Sequence, residues 1–257
     1  MLQTLNNKIQ QGFSKAAQRY DQYSSLHRKI ADKLLAQVAQ GPRPSALLDV
    51  GCGTGYLTVK AKELFPTSKV IGLDFAQGML DVARLKHEDI IWIQADGNNL
   101  PFSNECFDIV VSNLAYQWAE DLSRAFCEVK RVLNTHGVLA CTIFGYNTCQ
   151  ELFQSLRVAS KGALQFVRLP DQRQISEALS ISGFKDPIVS CEQIKVEFKD
   201  MYELINWFKT IGAPHLPREG YLGAETLFRA AKVYREQFSY LQGVGATFEV
   251  IRIYAKK

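Results

Sequence analysis

No run of about 18 consecutive apolar residues occurs in this 257-residue chain, so no segment has the length to cross a bilayer as a helix. The opening stretch, MLQTLNNKIQQGFSKAAQRY, also lacks the apolar centre of a signal peptide. C-x-x-C pairs are missing. The six cysteines, Cys52, Cys106, Cys127, Cys141, Cys149 and Cys191, fall at irregular spacings, several inside apolar stretches, which suits a reducing cytoplasm. No metal site is expected. Charge of one sign is scarce too: 30 Lys and Arg against 26 Asp and Glu leave only +4, far from the dense basic stripe of a nucleic-acid binder. Internal repeats, low-complexity tracts and interdomain linkers are likewise absent. What remains, at 47% hydrophobic and 22% charged, is the composition of an ordinary globular protein, expected to be cytoplasmic.

Hydrophobic spacing organises the chain. Ile9, Phe13, Ala16, Ala17, Tyr20, Tyr23, Leu26, Ile30, Leu34 and Val38 recur every three or four residues and predict one helix over 8–39, stopped by Gly41-Pro42. Short apolar runs at 45–50, 69–74, 90–96, 107–114 and 137–144 then alternate with helical patterns at 56–65, 76–86 and about 118–133. That rhythm predicts an α/β fold, a parallel sheet with helices on both faces. Beyond it the spacing predicts helices over 149–165, 171–181, 201–213 and 224–239, and strands over 187–198 and 246–255. A single domain is expected, with a helical lid over 8–40, a core over 44–145, 184–198 and 246–257, and insertions over 146–183 and 199–245.

The segment LLDVGCGTGYL (47–57) places Gly51, Gly53 and Gly55 directly after the first strand, with Asp49 two residues ahead. In open parallel sheets ligands bind beyond the carboxyl ends of the strands, and the first strand-to-helix turn is the usual cradle. The spacing departs from the G-x-G-x-x-G of a dinucleotide site. Asp74 ends the second strand, where a carboxylate accepts both ribose hydroxyls, and Asp96 follows the third, where it accepts from an adenine amino group. Asn113 ends the fourth strand. Together these residues outline an adenosine-type ligand.

The set LLDVGCGTG, VIGLDFAQGML, IQADGNNLPF and FDIVVSNLAYQW resembles the class I methyltransferases that use S-adenosylmethionine. The resemblance implies a Rossmann-like, mostly parallel sheet with an antiparallel last strand and helical lids. It also implies that the glycine turn faces the methionine portion and that Asp74 holds the ribose. Phe75, Gly97 and Leu114 flank these positions and join the expected cofactor set. Met79 either presses on the adenine or serves as ordinary helix core.

A narrower resemblance runs from about residue 10 to the C-terminus. FSKAAQRYDQYSSLHRKIADKLL, SNLAYQW, FGYNTCQELFQSL, LINWFKTIGAPH and TFEVIRIYAKK are similar to the malonyl-acyl-carrier-protein O-methyltransferases of biotin synthesis. One departure is His27, where that family often has Gln. The family implies methylation of the free carboxylate of malonyl-loaded acyl carrier protein, which is ionised at neutral pH and needs no general base. Tyr20, Tyr116 and Trp118 are then candidate aromatic walls and Gln117 a polar positioner, each alternatively plain core. Arg157, Arg168 or Arg173 is the candidate clamp for the acceptor carboxylate, each alternatively a solvated surface charge. Lys199, Lys209, Arg218 and Arg229 are candidates to meet an acidic carrier. The alternatives are a methyltransferase of another small molecule, a non-catalytic cofactor-binding relative, and a nicotinamide oxidoreductase. Neither nucleic acid nor membrane is an expected partner.

Overall fold

The computed structural model describes residues 2–166, 169–213, 218–219 and 222–257. In chain order the elements are α1 (Leu2–Tyr23), α2 (Ser25–Val38), β1 (Ala46–Val50), α3 (Tyr56–Leu64), β2 (Lys69–Asp74), α4 (Gln77–Arg84), β3 (Ile91–Gln94) and β4 (Phe107–Asn113). A 3₁₀ turn at Tyr116–Trp118 leads into α5 (Leu122–Val132), β5 (Leu133–Phe144), α6 (Gln150–Ala159), β6 (Gln165–Phe166), α7 (Gln172–Ile181) and β7 (Lys185–Phe198). The chain ends with α8 (Met201–Thr210), β8 (Arg218–Glu219), α9 (Ala224–Gln237), β9 (Ser239–Tyr240) and β10 (Gly243–Lys256).

The main sheet runs in the order β3-β2-β1-β4-β5-β10-β7, with β9 paired to β10. Strands β1 to β5 are mutually parallel, while β10 lies antiparallel between β5 and β7. The order reverses between β1 and β4, and a crevice opens there beyond the strand ends. Leu47, Leu48 and Val50 of β1 are buried on both faces, which is why this strand reads as a continuous apolar run rather than an alternating one. The edge strand β7 instead alternates between partly buried and exposed positions. Among the described residues no helix is long and apolar enough to cross a membrane. No group of three His, Cys, Asp or Glu among them is placed to hold a metal ion.

Residues 8–39, expected as one helix, form two. The last carbonyls of α1 are taken by side chains. Ser24 Oγ and Arg28 Nη2 donate to the Asp21 carbonyl, and Trp207 Nε1 donates to that of Tyr23. Ser24 itself leaves the helical conformation at φ −95°, ψ 21°. The apolar spacing continues across the break, because each helix buries a stripe of its own, Ala16 and Ala17 on α1 and Ile30, Leu34 and Val38 on α2, so periodicity alone hides it. The helix expected over 149–165 stops at Ala159, where Lys161 and Gly162 take positive φ. The last parallel strand starts four residues earlier than expected, at Leu133.

Candidate active site

A cleft of about 410 Å³ opens at the reversal point. Its floor is the turn after β1. Gly51 N–H and Cys52 N–H both donate to the Leu73 carbonyl, at 2.7 and 3.0 Å, tying the turn to β2. Gly51 has φ +74°, and a Cβ on it would come within 2.2 Å of the Ala115 methyl, so only glycine lets this loop pass. Gly53, at φ +54°, faces open space.

Asp74 closes the loop from the end of β2. Its Oδ2 accepts from Gly53 N–H and its Oδ1 from Ala76 N–H, each at 2.8 Å. Burial raises its pKa to about 6, against the opposing pull of these backbone donors. Each oxygen keeps a further lone pair, so the carboxylate can still accept a ligand diol. Asp96 Oδ1 accepts from the backbone and side-chain nitrogens of Asn98, at 2.9 and 2.8 Å. The side-chain Oδ1 of Asn98 and the hydroxyl of Tyr116 are sealed from solvent without partners, and both residues line the cleft. Among the described residues Asp74 and Asp96 are its charged lining groups, with no lysine or arginine. Such a cleft disfavours phosphate groups and suits a neutral or cationic ligand.

Phe75, Met79, Gly97, Asn113, Leu114, Tyr20 and Trp118 all line this cleft as well. Met79 lines the cleft and is only 2% exposed within a cluster of Ala17, Ala76, Phe13 and Tyr20. Leu114 bends the tip of β4 at φ +55°, a conformation that costs a leucine on the order of 1–3 kcal/mol. Its N–H is held by Thr142, through the carbonyl at 2.9 Å and the hydroxyl at 3.2 Å. Asn113 uses both side-chain polar atoms internally, donating to the His27 carbonyl and accepting from Thr142 Oγ1. What it offers a ligand is its main chain.

A second chamber of about 50 Å³ lies behind the glycine loop, sharing Tyr20, Gly51, Gly53 and Asn113 with the first. Asp49 lines it, accepting from Thr58 Oγ1 at 2.6 Å. Burial lifts the Asp49 carboxyl to about 7; the Thr58 hydrogen bond opposes this and nearby Asp74 adds to it. His27 and Arg28 line the same chamber. The Tyr20 phenol stays neutral, its ionisation pushed far up by burial and by Asp74 and Asp21.

Several expected residues lie elsewhere. Gly55 caps α3 at φ +83° and makes room for the Trp92 ring, which a Cβ would approach to 2.5 Å; it does not line the cleft. Gln117 also stays out, its Nε2 folded back onto the Leu114 carbonyl at 2.8 Å. Arg157 and Arg173 are exposed and line neither chamber. The reason is helical phase: α6 buries Leu152, Leu156 and Ala159, and α7 buries Ile175, Ala178 and Leu179, which turns both guanidinium groups outward. Arg168 lies outside the described residues, as does the side chain of Arg218. Lys199, Lys209 and Arg229 are exposed.

Sequence reasoning missed Asn7, Gln10 and Phe13, which line the cleft from α1. Gln10 Nε2 donates to the Phe75 carbonyl at 2.6 Å, and the Phe13 ring stands edge-on to Phe75 and Trp118 at 6.5 and 5.9 Å. Their spacing held the signal: Asn7, Gln10, Phe13 and Tyr20 share one helical face, and its two polar members have no place in a core.

Comparison with known proteins agrees with this geometry. The family described as "Methyltransferase domain" matches residues 48–141. The malonyl-[acyl-carrier protein] O-methyltransferase of Hahella chejuensis is 32% identical, across 95% of this chain and 88% of its own length. That of Methylococcus capsulatus is 31% identical, across 95% and 91%. Among solved structures, a Haemonchus contortus phosphoethanolamine N-methyltransferase 2 in complex with S-adenosyl-L-methionine superposes with a TM-score of 0.56 at 21% identity, over 88% of this chain and 52% of that one. At that identity the likeness is one of fold.

Proposed function

Because the chain belongs to the malonyl-[acyl-carrier protein] O-methyltransferase family, we propose that it methylates the free carboxylate of a malonyl thioester carried on acyl carrier protein, at the expense of S-adenosylmethionine. The observation that carries the cofactor side of this reading is the charge of the cleft, which among the described residues has two carboxylates and no cation. A sulfonium and an adenosine fit that lining; a dinucleotide pyrophosphate does not. In this reading Asp74 accepts from the ribose hydroxyls, Asp96 from the adenine amino group, and Phe75, Met79 and Leu114 pack against apolar parts of the ligand. Asp49 and the backbone of Gly51 and Gly53 face the methionine portion.

When bound, S-adenosylmethionine supplies a methyl group that a carboxylate oxygen displaces from sulfur, leaving S-adenosylhomocysteine and a methyl ester. No proton moves, so the protein needs no base. Its work is alignment and the exclusion of water. Helix α1 lies across the cleft, with Phe13 wedged between Phe75 and Trp118. The rings of Tyr20 and Trp118 form walls that tolerate a nearby cation.

The test is acceptor choice. Labelled methyl should pass from S-adenosylmethionine to malonyl carrier protein and not to acetyl carrier protein, which offers no carboxylate. Transfer to a quinone or a free acid, with none to the malonyl carrier, sinks the proposal.

A further inference from the structure

An acceptor carboxylate needs a polar group to orient it, and the cleft offers no described lysine or arginine for the purpose. His27 carries a buried polar atom with no partner, in the lining of the small chamber that adjoins the cleft rather than of the cleft itself. Its ring, on α2, lies 5.8 Å from that of Tyr20, 5.9 Å from Phe144 and 5.8 Å from Trp207. Phe144 ends β5, Trp207 belongs to α8, and Asn113 at the end of β4 donates to the His27 carbonyl at 3.1 Å. The imidazole therefore stands over the tips of β4 and β5, while also lining the chamber behind the glycine loop. Its Nδ1 is sealed from solvent and has no hydrogen-bond partner. A phenyl ring would complete this aromatic box without leaving a polar atom unpaired, so the imidazole has a cost that packing does not explain.

We propose that His27 orients the acceptor: its Nδ1–H donates to the malonyl carboxylate oxygen that is not methylated and leaves the other oxygen aimed at the sulfonium methyl. This rests on the malonyl reading above. The attacking oxygen forms the new bond to carbon, the carbon–sulfur bond breaks with its electron pair going to sulfur, and His27 keeps its proton throughout. A neutral donor suits the task better than a guanidinium. A full positive charge here would repel the sulfonium and blunt the nucleophile, whereas an uncharged N–H fixes direction only. Burial keeps the ring neutral, with its pKa held down to about 4.

The experiment compares wild type with His27→Phe, His27→Ala and His27→Gln, reading kcat and KM for malonyl carrier protein, the S-adenosylmethionine Kd by calorimetry, and folding by Tm. His27→Phe and His27→Ala should each lose about thirtyfold in kcat/KM, the size expected of one hydrogen bond to a charged group, with the cofactor Kd within about twofold. His27→Gln, which restores an N–H donor, should recover to within about fivefold of wild type. Unchanged kcat/KM in a folded Phe or Ala variant overturns the assignment. So does a parallel loss of cofactor affinity, which would place the ring on the cofactor instead. A wild type inactive on malonyl carrier protein overturns the malonyl reading and this inference with it; an active wild type beside an unimpaired variant overturns the inference alone.

Discussion

Asp74 answers to two opposing pressures. Burial lifts its pKa to about 6 from an ordinary value of 3.8, while backbone donors from Ala76, Gly53 and Phe75 pull it back. In the ligand-free protein the native state holds a proton that the unfolded chain has released between about pH 4 and pH 6, so the stability this residue contributes declines as pH rises through that window. Ligand binding runs the other way, because ribose hydroxyls need the ionised acceptor. Calorimetry should therefore show S-adenosylmethionine affinity falling as pH drops through about 6, after an earlier decline near 7 from Asp49. Replacing Asp74 with Asn should weaken binding at least tenfold, given about 1.5–3 kcal/mol per hydrogen bond to a charged acceptor, and should remove the lower inflection while moving the upper one down, because the Asp74 charge helps to raise Asp49. An unchanged dissociation constant means the ribose lies elsewhere. Asp74 and Asp96 were legible because each closes an apolar run, which fixes it at a strand end. Of the two readings open to Arg157 and Arg173, the exposed surface charge was also legible, since each lies opposite the apolar stripe of its own helix.

At the scale of elements, α1 comes close enough to α4 and to the end of α8 for backbone to meet backbone, beside the side-chain cluster of Phe13, Ala17, Tyr20 and Met79. A Cβ on Gly78 of α4 would come within 2.4 Å of the Ser14 carbonyl oxygen, and one on Gly12 within 2.7 Å of that of Gly212. Asp21 completes the fastening, accepting from Thr54 Oγ1 at 2.6 Å in the glycine loop and pairing with Lys86 at 2.7 Å. Helix propensity favours alanine over glycine at position 78 by about 1 kcal/mol, while the contact opposes it. The contact should win. Gly78→Ala is expected to loosen α1, seen as faster amide exchange over residues 7–23, and to weaken cofactor binding while leaving exchange in β1 and β4 unchanged. Exchange in α1 as slow as in wild type would show that this close approach does not hold the helix. No reading of periodicity finds such fastening, because its determinants are small residues facing a backbone distant in sequence. The strands were easier: their apolar runs match β2 residue for residue and β4 to within one position.

For the whole molecule, the open question is whether the insertions behave as separate bodies. We expect one cooperative unit. β10, the last strand, lies between β5 and β7, so residues 243–256 join the parallel half of the sheet to the strand that precedes α8 and α9. Both insertions also pack on that sheet: Tyr234 Oη of α9 donates to the Gly245 carbonyl at 2.8 Å, and Leu152, Leu156 and Leu204 share one buried cluster with Phe144 and Phe248. Removing either insertion would expose this cluster. Scanning calorimetry should accordingly give a single transition whose van't Hoff and calorimetric enthalpies agree. Ligand should move that transition as a unit: at a hundred times its Kd, S-adenosylmethionine adds about 2.7 kcal/mol to the native state, which for a chain of this size raises Tm by very roughly 5–10 °C. Two transitions, with only the earlier or only the later one shifted by the cofactor, would mean that the insertions fold apart from the sheet that carries the cleft.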